Sequence, residues 1–124
     1  MKVLIVEDDV VLSKMYQKKF ELEGFQVAAV YSGGEGIVAA QREKPDVILL
    51  DIMMPAMDGF SVTKALNEDE VTRKIPVIIL TNLGTSQIFI DEAKRLGVKE
   101  YLIKYKTSTS QVIETIKKVL EKKE

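Results

Sequence analysis

Five short runs of mostly β-branched and aliphatic residues alternate along this chain with longer stretches of helical period, and that alternation limits the fold more than any other feature. The runs are Val3 to Val6, Val27 to Val30, Val47 to Leu50, Val77 to Leu80 and Tyr101 to Ile103. Being almost continuously apolar, they predict strands covered on both faces, hence a parallel sheet.

Five helices are expected around the strands. The first spans about Val10 to Leu22 and stops at Gly24, and the second follows Ser32-Gly33-Gly34 and ends before Pro45. A third starts near Asp58-Gly59 and fades by Asn67. The fourth opens at Thr85 or Ser86, either of which can cap it, and puts Phe89, Ala93 and Leu96 on one face before Gly97. The last carries Val112, Ile113, Ile116, Val119 and Leu120 as a core stripe. Lys117, Lys118, Lys122 and Lys123 lie outside that stripe, and late lysines suit the negative end of a helix dipole. The pattern predicts an α/β fold, a doubly wound five-stranded parallel sheet between two helical layers. At 124 residues the chain has room for one domain, 1–124.

What is missing narrows the chemistry. With no Cys and no His, the chain has no thiolate or imidazole metal ligand, no cysteine nucleophile and no Ser-His-Asp relay. Carboxylates, hydroxyls and amines must do any polar work. The formal charge of −1 lacks the basic excess of a nucleic-acid binder. Val3 to Val6 runs into three acids, too short for a signal-peptide core or a membrane span, so a soluble cytoplasmic protein without a membrane partner is expected.

In a parallel sheet of this kind, residues just beyond the strand ends gather on one rim, where ligands bind as the winding reverses. The residues there are Glu7-Asp8-Asp9 after the first strand, Asp51 after the third, Thr81 after the fourth and Lys104 after the fifth. Glu7, Asp8, Asp51 and Lys104 together carry −2. Two like charges about 5 Å apart repel by roughly 3 kcal/mol at an effective dielectric near 20, so the cluster must take up protons or a cation. An all-oxygen donor set suits a hard ion such as Mg²⁺. An exposed carboxylate beside a cation and a lysine is built to receive a phosphoryl group.

Each residue also has a plain structural role open to it. Asp8 or Asp9 suits capping of the first helix, Asp51 and Asp58 suit turns, Thr81-Asn82 suits turn chemistry, and Lys104 suits a solvated surface. The functional reading draws its weight from their arrival together at the strand exits.

The segments Val-Leu-Ile-Val-Glu-Asp-Asp at 3–9, Pro-Asp-Val-Ile-Leu-Leu-Asp-Ile-Met-Met-Pro-Ala-Met-Asp-Gly at 45–59, Pro-Val-Ile-Ile-Leu-Thr at 76–81 and Tyr-Leu-Ile-Lys at 101–104 carry a resemblance over essentially the whole chain. In them the chain resembles the response-regulator receiver domain of two-component systems, in its chemotaxis-type single-domain form. The resemblance implies a flavodoxin-like sandwich with strand order 2-1-3-4-5 and no output domain. It implies that Asp51 is phosphorylated, and that Glu7 and Asp8 hold Mg²⁺, which also touches Asp51 and the backbone carbonyl of Met53. Thr81 and Lys104 would bind the phosphoryl oxygens, and Tyr101 would be the aromatic switch linked to Thr81.

The implied donor is a phosphohistidine on a sensor histidine kinase or phosphotransfer protein. The implied output is a changed face of the fourth helix, fifth strand and fifth helix, read by a downstream protein. Ile88 and Ile90, flanking the fourth helix's stripe, suit the edge of the core, or one of them a partner anchor. The chain would be a monomer, with a dimer open to it on phosphorylation. It would not be an enzyme in the ordinary sense, catalysing only its own phosphorylation and dephosphorylation.

Two positions depart from the family pattern. A small residue usually follows the site hydroxyl, and here stands Asn82, which either crowds the phosphoryl approach or adds a hydrogen bond to it. Proline with a cis bond usually follows the site lysine, and here stands Tyr105. A non-proline cis bond costs about 2.5–4 kcal/mol, so a trans bond and a reshaped loop are expected.

Three rival readings compete. Gly34-Glu35-Gly36-Ile37-Val38-Ala39 fits the G-x-G-x-x-A form of a dinucleotide site, but leaves the rim cluster unexplained. A flavodoxin-like electron carrier needs a first loop that cradles phosphate, which three acids would repel. The third is a receiver-like protein-binding module that is never phosphorylated, with Asn82 and Tyr105 as its motive.

Overall fold

A computed structural model describes residues 1–122; Lys123 lies outside the described residues. The strands are β1 (Lys2–Val6), β2 (Gln26–Val30), β3 (Val47–Leu50), β4 (Val77–Thr81) and β5 (Glu100–Ile103). The helices are α1 (Val10–Leu22), α2 (Gly33–Glu43), α3 (Gly59–Asn67), α4 (Gln87–Arg95) and α5 (Thr109–Glu121), with a 3₁₀ turn at Lys104–Lys106. All strand pairs are parallel, in the order β2-β1-β3-β4-β5.

The period of two along each strand divides the core into two layers. Val3 and Ile5, Val47 and Leu49, and Ile78 and Leu80 face one way, where they meet Tyr16 and Phe20 of α1 and Val112, Ile116 and Val119 of α5. Leu4 and Val6, Ile48 and Leu50, and Val77 and Ile79 face the other way, against Ala39 and Ala40 of α2, Val62 and Leu66 of α3, and Ala93 of α4. Both faces of β1, β3 and β4 are therefore buried, whereas β2 and β5, at the edges, are half-buried along most of their length. The winding reverses between β1 and β3, and that crevice is where such sheets bind ligands.

Local chemistry corrects several expectations. Asp58 is the N-cap of α3, its carboxylate accepting from Ser61 N at 3.0 Å, rather than a simple turn residue. Ser86 occupies the N-cap position of α4 but makes no side-chain cap bond, and Thr85 precedes it; the Ser86 carbonyl starts the helix instead, accepting from Phe89 N and Ile90 N. Ala93 and Leu96 are buried in the α4 stripe while Phe89 is only half-buried, and Ile88 is 75% exposed, well outside the edge of the core. Helix α5 opens with a Ser108/Gln111 capping box that no expectation included. Among the described residues no peptide bond is cis, and the 3₁₀ turn fills the loop after β5. No helix among them is long and apolar enough to cross a membrane.

Of the two glycines in the dinucleotide-like segment, Gly36 has a packing role and Gly34 has open space beside it, while Gly33, just before the segment, also packs. A Cβ on Gly33 would lie 2.8 Å from the Met57 carbonyl, and one on Gly36 would lie 3.0 Å from Val6, so these residues let α2 sit close on the sheet and on the loop before α3.

Candidate functional site

At the end of β1 the chain keeps following the sheet, with Glu7 N donating to Val30 O. This leaves Glu7 almost fully buried. Its Oε2 accepts from Asp9 N at 3.0 Å, and Asp9 Oδ1 in turn accepts from Leu12 N to cap α1. Asp9 thus takes the capping role that the acid run offered to either aspartate. Asp8 is exposed and has no ion pair or hydrogen bond to its carboxylate among the described residues.

Asp51 extends the central strand, its N–H donating to Val6 O at 3.1 Å, and its carboxylate is nearly buried. Oδ1 accepts from Met53 N at 3.2 Å and Oδ2 accepts from Lys104 Nζ at 2.8 Å. Gly59 fixes the far side: its N–H donates to Ile52 O, and a Cβ there would lie 2.4 Å from the Asp51 carbonyl oxygen. Only glycine lets the start of α3 approach the Asp51 backbone so closely. Lys104, arriving from β5, bridges Asp51 and Glu7, so the first, third and fifth strands meet in one ionic cluster.

Glu7, Asp8 and Asp51 each offer a carboxylate oxygen, all within 4.8 Å of one another. Burial raises the Glu7 carboxyl above its ordinary pKa, with Asp51 adding to the effect, while Lys104 and Asp9 N pull the other way without cancelling it. For Lys104 burial favours the neutral amine, yet the bonds to Asp51 and Glu7 outweigh it and raise the ammonium's pKa. The cluster is a charged site drawn out of water and only partly compensated, as the excess of acids over amine required.

Thr81 is fully buried, its Oγ1 accepting from Leu83 N at 3.2 Å, so its hydroxyl proton can be given to another acceptor. Tyr101 is half-buried, and its hydroxyl donates to the Gly84 carbonyl at 2.8 Å. Tyr101 lies opposite Ile79 and Ile103 lies opposite Thr81, which places Thr81 and Tyr101 on the same side of the sheet. Met53 is exposed in the loop after Asp51.

Two residues near the site escaped the sequence reading in these roles. Tyr16 is buried in α1, and burial raises its phenol pKa, with Lys104 lowering it and Glu7 and Asp51 raising it. The helical spacing from Asp9 through Leu12 to Tyr16 carried the hint that this ring lies beneath the acids. The second is Asn82, whose Oδ1 accepts from Tyr105 N at 3.2 Å.

Comparison with known proteins agrees with this geometry. The family profile described as "Response regulator receiver domain" matches residues 3–117. Protein PilH of Pseudomonas aeruginosa is 39% identical over 123 residues, covering 96% of this chain and 97% of that protein. The chemotaxis protein CheY4 of Vibrio cholerae superposes with a TM-score of 0.88 at 30% identity, over 95% of this chain and 97% of that one. The receiver domain of the sensor histidine kinase PA1611 from Pseudomonas aeruginosa, described with a magnesium ion coordinated in its active site cleft, superposes with a TM-score of 0.86 at 26% identity, over 97% of each chain.

Proposed function

We propose that this chain, which belongs to the response regulator receiver family, receives its phosphoryl group on Asp51. A receiver domain is a phosphoacceptor signalling module. The observation that carries the assignment is the position of Asp51 at the end of the central strand, within reach of Glu7 and Asp8 and held by Lys104.

The donor we propose is a phosphohistidine on a sensor kinase or phosphotransfer protein in the cytoplasm. An Asp51 carboxylate oxygen forms a bond to phosphorus as the donor's P–N bond breaks and the imidazole departs. Water later cleaves the acyl phosphate, restoring the carboxylate and releasing phosphate. These two steps on its own side chain are the only reactions proposed for the chain, and no external metabolite is turned over. Lys104, which already bonds Asp51, and the Thr81 hydroxyl, which has a proton to give, are proposed to bind the phosphoryl oxygens.

The all-oxygen donor set of Glu7, Asp8 and Asp51 fits a hard divalent cation, and we propose Mg²⁺, with the Met53 carbonyl as a further ligand on the resemblance alone. Bound there, it would neutralise charge on the carboxylates and on the incoming phosphoryl group.

Signal output is proposed to start at Thr81. Its hydroxyl is tied to Leu83 and the Tyr101 hydroxyl to Gly84, adjacent residues of one loop. A Thr81 drawn toward a phosphoryl group therefore pulls on the segment that holds Tyr101. Couplings of this size are about 1–3 kcal/mol and shift populations of the α4, β5 and α5 face toward a form that a downstream protein binds.

The test is incubation with Mg²⁺ and acetyl phosphate, followed by intact mass. Wild type should gain one phosphoryl group and Asp51→Asn none. If wild type stays unmodified, and beryllofluoride leaves its amide spectrum as unmoved as that of Asp51→Asn, the chain is a bare binding module instead.

A further inference from the structure

The two places where this chain departs from the family pattern are joined in space. Tyr105 N donates to Asn82 Oδ1 at 3.2 Å. A proline at 105 would have no N–H to give, so the bond exists only because that proline is missing. Asn82 directly follows Thr81, and Tyr105 directly follows Lys104. The hydrogen bond therefore links the segments that begin just after Thr81 and just after Lys104, the two groups proposed to hold a phosphoryl group, and both its residues are exposed.

We infer that Asn82 is a positioning residue, which through the Tyr105 backbone clasps the mouth of the phosphorylation site shut and slows water's access to the phosphoryl group. The inference rests on Asp51 being the phosphoacceptor. The Tyr105 ring contributes little to the clasp, since Tyr105 is 68% exposed and the cation near its ring is Lys106, at 5.8 Å. What matters at 105 is the backbone donor; what matters at 82 is a side-chain acceptor long enough to reach it. Both loading and loss of phosphate pass the same mouth, so opening it speeds both. Damage to the phosphoryl-binding groups would instead slow loading, and that contrast separates a gate from a general disturbance.

The experiment uses the whole chain as Asn82→Ala, Tyr105→Pro, the double variant and Tyr105→Ala. Loading from acetyl phosphate and subsequent loss are followed by intact mass, and exchange of the Tyr105 amide by NMR. Asn82→Ala should exchange that amide faster and lose its phosphoryl group about 3- to 10-fold faster, the span that one modest hydrogen bond allows, with loading no slower. Tyr105→Pro should match it, and Asn82→Ala should add almost nothing in the proline background. Tyr105→Ala keeps the N–H and should follow wild type.

Additive effects of Asn82→Ala and Tyr105→Pro overturn the clasp, as does slowed loading or a Tyr105→Ala protein that behaves like Asn82→Ala. A folded wild type that takes no phosphoryl group overturns the phosphoacceptor reading, and the gating role with it. The Tyr105 amide then still reports on the bond itself: unchanged exchange in Asn82→Ala refutes the bond, and faster exchange retains it as a loop tie alone.

Discussion

Two kinds of ion pair in this molecule have almost the same length. Lys104 Nζ lies 2.8 Å from Asp51 Oδ2, and Arg95 Nη2 lies 2.7 Å from Glu92 Oε2. Their surroundings differ: the Lys104 and Asp51 side chains are 12% and 5% exposed, those of Arg95 and Glu92 65% and 37%. The first pair also answers to a second buried acid, Glu7, whereas the second is one turn of helix surface. Length therefore says little about what a pair does. Burial decides whether its charges are solvated by water or by each other, and only the buried set stores an excess of negative charge that a bound cation would relieve.

The largest effect is expected from Lys104→Met. It leaves Glu7 and Asp51 facing each other out of water with no cation, and unfolding in urea should show a loss of about 3–5 kcal/mol, the range for breaking a buried pair. Added Mg²⁺ should recover part of that loss, because a ligand that binds only the folded state stabilises it. A Lys104→Met protein as stable as wild type, with or without the ion, would break the contrast.

Next in size is Gly59→Ala, at about 1–3 kcal/mol, since the new methyl lies 2.4 Å from the Asp51 carbonyl and the backbone must move. The same denaturation experiment reads it, and a weakened response to Mg²⁺ should accompany the loss.

Glu7→Gln should go the other way. The amide carries no buried charge, and its single oxygen can accept from Lys104 or from Asp9 N but not from both, because its NH₂ only donates. Because burial raises the Glu7 pKa in the folded state, the native form holds its proton more tightly than the unfolded chain. That contribution is fullest below the unfolded pKa and is lost as pH rises through the folded one. At neutral pH Glu7→Gln should therefore be modestly more stable than wild type, with the difference vanishing toward acid. Stability equal or lower at pH 7 would mean that the two bonds made by the carboxylate, to Lys104 and from Asp9 N, outweigh the cost of its buried charge.

Much of this was legible in the sequence, for reasons that particular residues make plain. β3 and the whole of α1 coincide with their expected bounds because Val47 to Leu50 is apolar on both faces and Gly24 follows the helix closely. The other strands gain one residue each, Lys2, Gln26, Thr81 and Glu100, polar residues whose pairing the neighbouring strand dictates and hydropathy cannot show. The expected rim residues Glu7, Asp8, Asp51 and Lys104 do meet, because parallel strands deliver their C-terminal ends to one edge. What the sequence hid was the assignment among equals. Asp9 rather than Asp8 caps α1, and Asp58 caps α3, because a cap is settled by which carboxylate reaches the third amide ahead. The Asn82 to Tyr105 bond was out of reach, since it joins residues 23 apart through a backbone group that composition does not reveal.

The smallest effect is the one that sharpens the contrast most. Arg95 holds the Glu92 carboxyl below its usual range by a hydrogen bond, and the formal sign is stabilising above the unfolded carboxylate pKa and lost as pH falls through the folded one. Water and salt reach both groups, so Arg95→Ala should leave the urea midpoint unchanged at physiological ionic strength. Whatever small difference appears in dilute buffer should disappear as salt shortens the screening length to about 8 Å. The Lys104→Met deficit should persist across the same salt range, because its charges face protein rather than solvent. If the two variants instead faded together with salt, the rim would be as wet as the helix surface, and burial would no longer separate them.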